Sequence, residues 1–329
     1  VFKSTNAGIT WDPIFDNSGG AASIGSVAMF EPDPDIIWVG TGEAANRNSS
    51  GWGNGIFKST DGGQTWQHLG LADTRHIAAI ALHPTDPDIA YVASPGHLWG
   101  YSGDRGLFKT DDGGRTWERV LHVSDDTGIT DAAFKPGEPD VIYAAAYQRR
   151  RRNAMTIGGG PEAGIFRSTD GGVSWERIED GLPEVEKGRI ALGVDPRNPD
   201  RVYALVVARG DAGAAYLFER NQGGAANWGG VTKIQASDKD ASNGFGASVA
   251  ISGDTASVAA PWHAARSGGV YLCERNHGGT NNGSAPAQGP GSDNKPRGQF
   301  AASTAVSRRP RTPRGADGQK GAGPRSRRH

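Results

Sequence analysis

Apolar residues in this chain come in short runs broken by Pro, Asp and Gly. One pattern recurs four times: "VAMFEPDPDIIWVGTG" (27–42), "IALHPTDPDIAYVAS" (80–94), "AAFKPGEPDVIYAAA" (132–146) and "LGVDPRNPDRVYALV" (192–206). Each copy reads as an apolar strand, a turn set by Pro and Asp, and a second strand rich in β-branched and aromatic residues. A loop of variable length follows, then a third short strand (Gly55–Lys58, Gly106–Lys109, Gly164–Arg167). A ten-residue phrase closes that strand and opens a fourth: "FKSTDGGQTW" (57–66), "FKTDDGGRTW" (108–117) and "FRSTDGGVSW" (166–175), with a worn copy, "FKSTNAGITW", at 2–11. Four antiparallel strands in a unit of about fifty residues predict propeller blades.

The phrase itself has a structural reading. Ser59 and Ser168, with Asp61, Asp112 and Asp170, can bond the amides of a tight turn. The Gly pairs, including Gly63, Gly114 and Gly172, permit positive φ in the hairpin. Trp66, Trp117 and Trp175 are placed to pack between neighbouring sheets. Ser-x-Asp-x-Gly-x-x-Trp resembles the Asp box, or bacterial neuraminidase repeat. The fuller text "WVGTGEAANRNSSGWGNGIFKSTDGGQTW" (38–66), with "GHLWG" (96–100) and "YQRRR" (147–151), is similar to bacterial sortilin-like, glycosyl-hydrolase-like repeat proteins over about residues 1–207. That resemblance implies a β-propeller with Asp boxes on the rim away from any active site, and a secreted or cell-surface location.

After Val207 the phrase changes. "GAAYLFERNQGG" (213–224) returns as "GGVYLCERNHGG" (268–279), and "FGASVAISGDTASVAAP" (245–261) between them resembles an FG-GAP repeat of integrin-α-type propellers. Calcium-binding members of that family carry an Asp-x-Asp-x-Asp-Gly loop. Asp238, Asp240 and Asp254 are not so spaced, and no calcium is expected. From about Asn281 the chain is rich in Gly, Pro, Ala and Arg, and it is expected to be disordered. A basic tail touching an anionic surface and an out-of-frame translation of GC-rich sequence are the other readings of it. The fold expectation is all-β: Asp-box blades over 1–207 in an incomplete ring, FG-GAP-like blades over 208–280, and a disordered tail over 281–329. The start at Val1, close to a repeat, reads as a fragment or a processed chain, and the join near 207–213 as a natural fusion or a mis-joined gene model.

Composition narrows function only slightly. The net charge of −1 does not announce a nucleic-acid partner, and no run nears the roughly 20 apolar residues of a membrane helix. With Cys273 alone no intramolecular disulfide forms, and no histidine spacing suggests zinc; neither metal nor cofactor is expected. Chemistry is expected on the end opposite the boxes, in the loops joining second to third strands and in those between blades. Ligand-binding candidates there are Arg47, Trp52, Arg75, His76, His97, Trp99, Tyr147, Arg149 and Arg150: rings for sugars and guanidinium forks for carboxylates. Glu43, Asp104, Asp125 and Asp126 are the carboxylates that an acid–base pair would draw on. No Arg-Ile-Pro motif of the sialidase kind occurs. The primary expectation is a non-catalytic scaffold that binds glycan or an extracellular protein. A sialidase- or xyloglucanase-like hydrolase and a truncated product without independent function are the alternatives.

Overall fold

The computed structural model describes residues 1–208 apart from 46–48, 153–154 and 197, and beyond them the strand backbones of 214–220, 228–234, 249–252, 255–260, 269–274 and 287–290. It is all-β, with one 3-10 turn at Ala72–Thr74 among the described residues.

A two-stranded ribbon opens the chain: β1 (Phe2–Lys3) and β2 (Asp12–Pro13). Sheet one follows, with β3 (Ile24–Met29), β4 (Ile37–Thr41), β5 (Ile56–Ser59) and β6 (Gln67–His68) paired in that order. Sheet two is β7 (Ala79–Leu82), β8 (Ala90–Ser94), β9 (Gly106–Thr110) and β10 (Glu118–Leu121). In sheet three β11 (Thr127–Lys135), β12 (Glu138–Arg152), β14 (Gly164–Ser168) and β15 (Glu176–Ile178) pair in turn, and β13 (Met155–Gly158) extends β12 as a hairpin. The segment 147–163, expected as a loop joining second to third strands, is thus largely strand, and Arg149 and Arg150 lie on β12. Sheet four joins β16 (Lys187–Val194) and β17 (Arg201–Ala208) to β18 (Ala214–Arg220) and β19 (Trp228–Ile234). The expected 207/208 boundary falls inside this sheet. Sheet five is β20 (Val249–Ser252), β21 (Thr255–Ala260), β22 (Gly269–Glu274) and β23 (Ala287–Pro290). The two copies of the second phrase therefore take the same place, the third strand of their sheets. Strand β23 falls within the segment expected to be disordered; the rest of that segment lies outside the described residues.

Every four-stranded sheet is an antiparallel meander. The first strands β3, β7, β11, β16 and β20 neighbour one another in succession, as the inner strands of blades do. Apolar cores lie between consecutive sheets. Trp38, Ile56 and Leu69 of sheet one meet Ala90 and Val92 of sheet two, and Tyr91 and Leu107 meet Ile129 and Ile142. Tyr143 and Ile165 then meet Ile190 and Val202. A meander hydrophobic on both faces requires such neighbours on both sides.

The repeated phrases explain how each blade closes. Ser59 Oγ donates to Asp61 Oδ1 at 2.7 Å and accepts the Gly63 amide at 2.8 Å. The Thr110–Asp112–Gly114 and Ser168–Asp170–Gly172 sets repeat the arrangement. The Gly62, Gly113 and Gly171 amides donate to the carbonyls of Asp35, Asp88 and Asp140, the Asp of each Pro-Asp turn. The box hairpin is thus clamped to the first hairpin of its own blade, at the same end. Trp66 Nε1 donates to the Ile14 carbonyl at 2.6 Å and Trp117 Nε1 to that of Leu69 at 2.7 Å, each reaching the preceding sheet. Trp175 departs from this and donates to Gly172 in its own box at 3.1 Å.

Candidate functional site

The loops of interest occupy the end opposite the box hairpins. A buried hydroxyl closes the base of each of the first two. Thr41 Oγ1 donates to the Gly55 carbonyl at 2.8 Å and accepts the Asn54 amide at 2.8 Å. In sheet two Ser94 Oγ donates to the Asp104 carbonyl at 2.9 Å.

Beneath the surface lies a layer of buried cationic side chains. Arg149, at the far end of β12, has no solvent exposure. Its two terminal nitrogens donate to the carbonyls of Ala44 (2.9 Å) and Gly96 (3.1 Å), so sheet three holds the loops of sheets one and two. Arg105 is equally buried and donates to Pro95 (2.6 Å) and His97 (2.7 Å) inside its own loop. Desolvation brings the Arg149 guanidinium down to about 9 and that of Arg105 to about 10, still cationic at neutral pH. His76 is buried beside Arg149. Burial first, and that positive charge second, push it down to about 4, so its ring is neutral. Tyr147 is buried as well. Expected on a ligand-facing surface, Arg149, His76 and Tyr147 instead form the packed floor under it.

Above this floor three aromatic side chains are exposed. Trp52 is 57% exposed and carries the Arg75 guanidinium 4.2 Å from its ring centroid. Arg75 is held in a left-handed conformation (φ 57°), and its carbonyl accepts the Gly53 amide at 2.8 Å. Trp99 is 40% exposed, tied through a backbone bridge to Arg151. Tyr101 is 61% exposed, with Arg150 stacked 4.3 Å from its ring. The same Arg150 grips Asp126, its Nη1 lying 3.0 and 2.9 Å from the two carboxylate oxygens. His97 sits at the edge, its Nε2 2.8 Å from the Asp73 carbonyl and 3.7 Å from Asp104.

The candidate carboxylates are held locally. Glu43 Oε1 accepts the Gly51 amide at 2.8 Å, and Asp125 lies 3.6 Å from His122. Asp126 is paired with Arg150, and Asp104 lies beside His97 and Ser102. Glu162 accepts from Ser124 at 2.6 Å and from Thr127. Arg47 lies outside the described residues. Among the described residues no group of three His, Cys, Asp or Glu is placed to hold a metal ion. Tyr101 and Arg105 belong to the same irregular loop as His97 and Trp99, and the sequence places both on the loop face. Tyr101 is exposed there, whereas Arg105 is buried, and no sequence signal marks that burial.

Comparison with known proteins agrees with this architecture. A sortilin (neurotensin receptor 3) family model matches residues 54–212, and an FG-GAP repeat model matches 228–273. A probable oligoxyloglucan-reducing end-specific xyloglucanase of Neosartorya fischeri is 31% identical over 125 residues, which are 36% of this chain and 14% of that protein. The xyloglucanase Xgh74A of Acetivibrio thermocellus is 30% identical over 209 residues, 54% of this chain and 22% of that enzyme. The chain thus spans less than a quarter of either relative. Among solved structures, an ancestral GH74 enzyme superposes with a TM-score of 0.55 at 20% identity, covering 84% of this chain and 32% of that one. Sheets, repeats and likenesses together make the chain an array of β-propeller blades, similar to sortilin-type repeats over 54–212 and to an FG-GAP repeat over 228–273.

Proposed function

We propose that the loop face binds a β-glycan of the xyloglucan class, and that these blades are a binding part of a larger, secreted or cell-surface protein. One observation carries the reading: Trp52, Trp99 and Tyr101 stand exposed on one end of adjacent blades, over a floor that Arg149 and Arg105 hold rigid. Exposed rings on a rigid base suit the faces of sugar rings, and a prearranged base spares the ordering cost of binding. The relatives named xyloglucanases supply the class of sugar.

Titration of xyloglucan oligosaccharides into the chain, followed by calorimetry, tests this. Trp52→Ala and Trp99→Ala are each expected to weaken binding about tenfold, the loss of one stacked aromatic anchor. Unchanged affinity in both variants removes the proposal.

A hydrolase reading draws on the same relatives. It requires release of reducing ends by the parent chain, lost in one of Glu43→Gln, Asp104→Asn, Asp125→Asn or Asp126→Asn while binding survives. The local partners of all four favour binding without turnover.

A further inference from the structure

The arginines of the loop face differ in what their donors do. Arg149 and Arg105 give their terminal nitrogens to backbone carbonyls, and Arg150 grips Asp126. Arg75, on the turn between β6 and β7, has its guanidinium carbon 4.2 Å from the Trp52 ring centroid. Among the described residues no carbonyl or carboxylate accepts its side-chain N–H groups, and Asp73 on the same turn is not paired with it. A guanidinium set over an aromatic face keeps its donors, which lie in its own plane, open to a planar acceptor.

The backbone shows that this placement is imposed. Arg75 has φ 57°, a left-handed conformation that such a side chain keeps only where its surroundings hold it. Leu71 shares that conformation at the other end of the 3-10 turn Ala72–Thr74. The turn is fastened from both neighbouring loops. The Arg75 carbonyl accepts the amide of Gly53, the residue after Trp52, at 2.8 Å. It also lies so close to Gly42 that a Cβ there would stand 1.9 Å from it. From sheet two, His97 Nε2 lies 2.8 Å from the Asp73 carbonyl. Inside the turn the buried Thr74 hydroxyl donates to the Leu71 carbonyl at 2.6 Å. Arg75 and Trp52 are thus tied through the backbone as well as through their side chains.

We infer that the Trp52–Arg75 pair is a carboxylate subsite, and that the glycan taken by the loop face is one that carries a hexuronate. The inference rests on the glycan reading above and adds a charge that neutral xyloglucan lacks. One edge of the guanidinium takes the two carboxylate oxygens, and the exposed part of the indole takes the sugar ring. A fork already in position gives up little freedom on binding. A neutral sugar meets the same indole but leaves the fork without an acceptor.

The test titrates xyloglucan oligosaccharides into the chain at low salt, before and after oxidation of their free C6 hydroxymethyl groups to carboxylates. The oxidised form is expected to bind about tenfold more tightly. Arg75→Asn removes the fork with a residue that tolerates the left-handed backbone, and Arg75→Gly does so with one that has no side chain to strain. In both variants, checked by thermal melts to be folded, the two forms should bind within about twofold of each other. Equal affinities in the parent chain overturn the inference. If the neutral form still binds there, the glycan reading stands without it; if neither form binds, both fall. A preference that persists in both variants also overturns it, because another cation then carries it. So does a polyglutamate peptide of matched charge that binds as tightly as the oxidised sugar, which would make the subsite a receptor for acidic protein.

Discussion

At the scale of single residues, two desolvated groups set opposing pH dependences. The Asp131 carboxylate accepts the Ala132 amide at 2.9 Å and the Leu192 amide of the next sheet at 2.8 Å, yet desolvation raises it from 3.8 to about 6. Between those values the folded chain keeps a proton that the unfolded chain has released, so its contribution falls as pH rises from about 4 to 6. His76 is lowered from 6.5 to about 4, so the unfolded chain takes up a proton that the folded chain refuses. Its contribution falls as pH drops through the same window. Asp131→Asn is therefore expected to leave stability rising from pH 4.5 to 6.5, and His76→Gln to leave it falling from pH 4 to 6. Each change is on the order of 1–3 kcal/mol, and urea midpoints across pH read both. Equal slopes in the two variants contradict the assignment. The box aspartates act lower on the scale: hydrogen bonds led by the Thr65 and Ser174 hydroxyls hold Asp61 and Asp170 near 2. Their stabilisation is present above the ordinary carboxylate range and is lost as pH falls toward 2.

At the scale of the element, a glycine inside a box hairpin and one outside it meet different demands. Gly114 has φ 95°, and an added Cβ would stand 2.5 Å from Leu69 Cδ1 of the preceding sheet. Gly70 has φ 85° with open space around it. Gly70→Ala should cost about 1 kcal/mol, from backbone strain alone. Gly114→Ala should cost about 2–4 kcal/mol, because strain and overpacking add. Thermal melts of the two variants separate the terms, and equal losses would show that the close approach carries no weight. Removing a hydroxyl is the complementary test. Ser168→Ala strips the buried Gly172 amide of its acceptor and should cost about 1–3 kcal/mol. This level was the most legible from sequence, because a Ser-x-Asp-x-Gly phrase contains every partner it needs within a few residues. Trp175 was less legible: its ring packs in the core between sheets two and three as expected, but whether its N–H meets a carbonyl of the preceding sheet or of its own box depends on that neighbour's backbone, not on the phrase.

At the scale of the whole molecule, Arg149 joins three blades through two carbonyls more than fifty residues away in sequence. Arg149→Met keeps the bulk but leaves the Ala44 and Gly96 carbonyls unpaired. A loss of about 2–4 kcal/mol is expected. Hydrogen exchange should rise in loops 41–54 and 94–105 together, though neither loop contains the substitution. A rise confined to strand β12 would refute the stitching role. Glycan affinity should fall with it if the rigid floor is what prearranges Trp52 and Trp99.

The periodic strands, the Pro-Asp turns and the boxes were readable from the chain alone, because each depends on interactions between residues near one another in sequence. All-β architecture, four-stranded units and the end of the molecule that carries the irregular loops follow from them. Which arginines face outward did not. Arg149 and Arg150 are consecutive on a strand and so point to opposite faces, one into the floor and one onto Tyr101. A run of four arginines gives no register, so only the pairing of β12 with its neighbours could assign them. The same holds for Asp126, whose partner Arg150 comes from that strand. The exposure of Val27 and Met29 likewise depends on what lies across from them in space, which the local phrase does not contain.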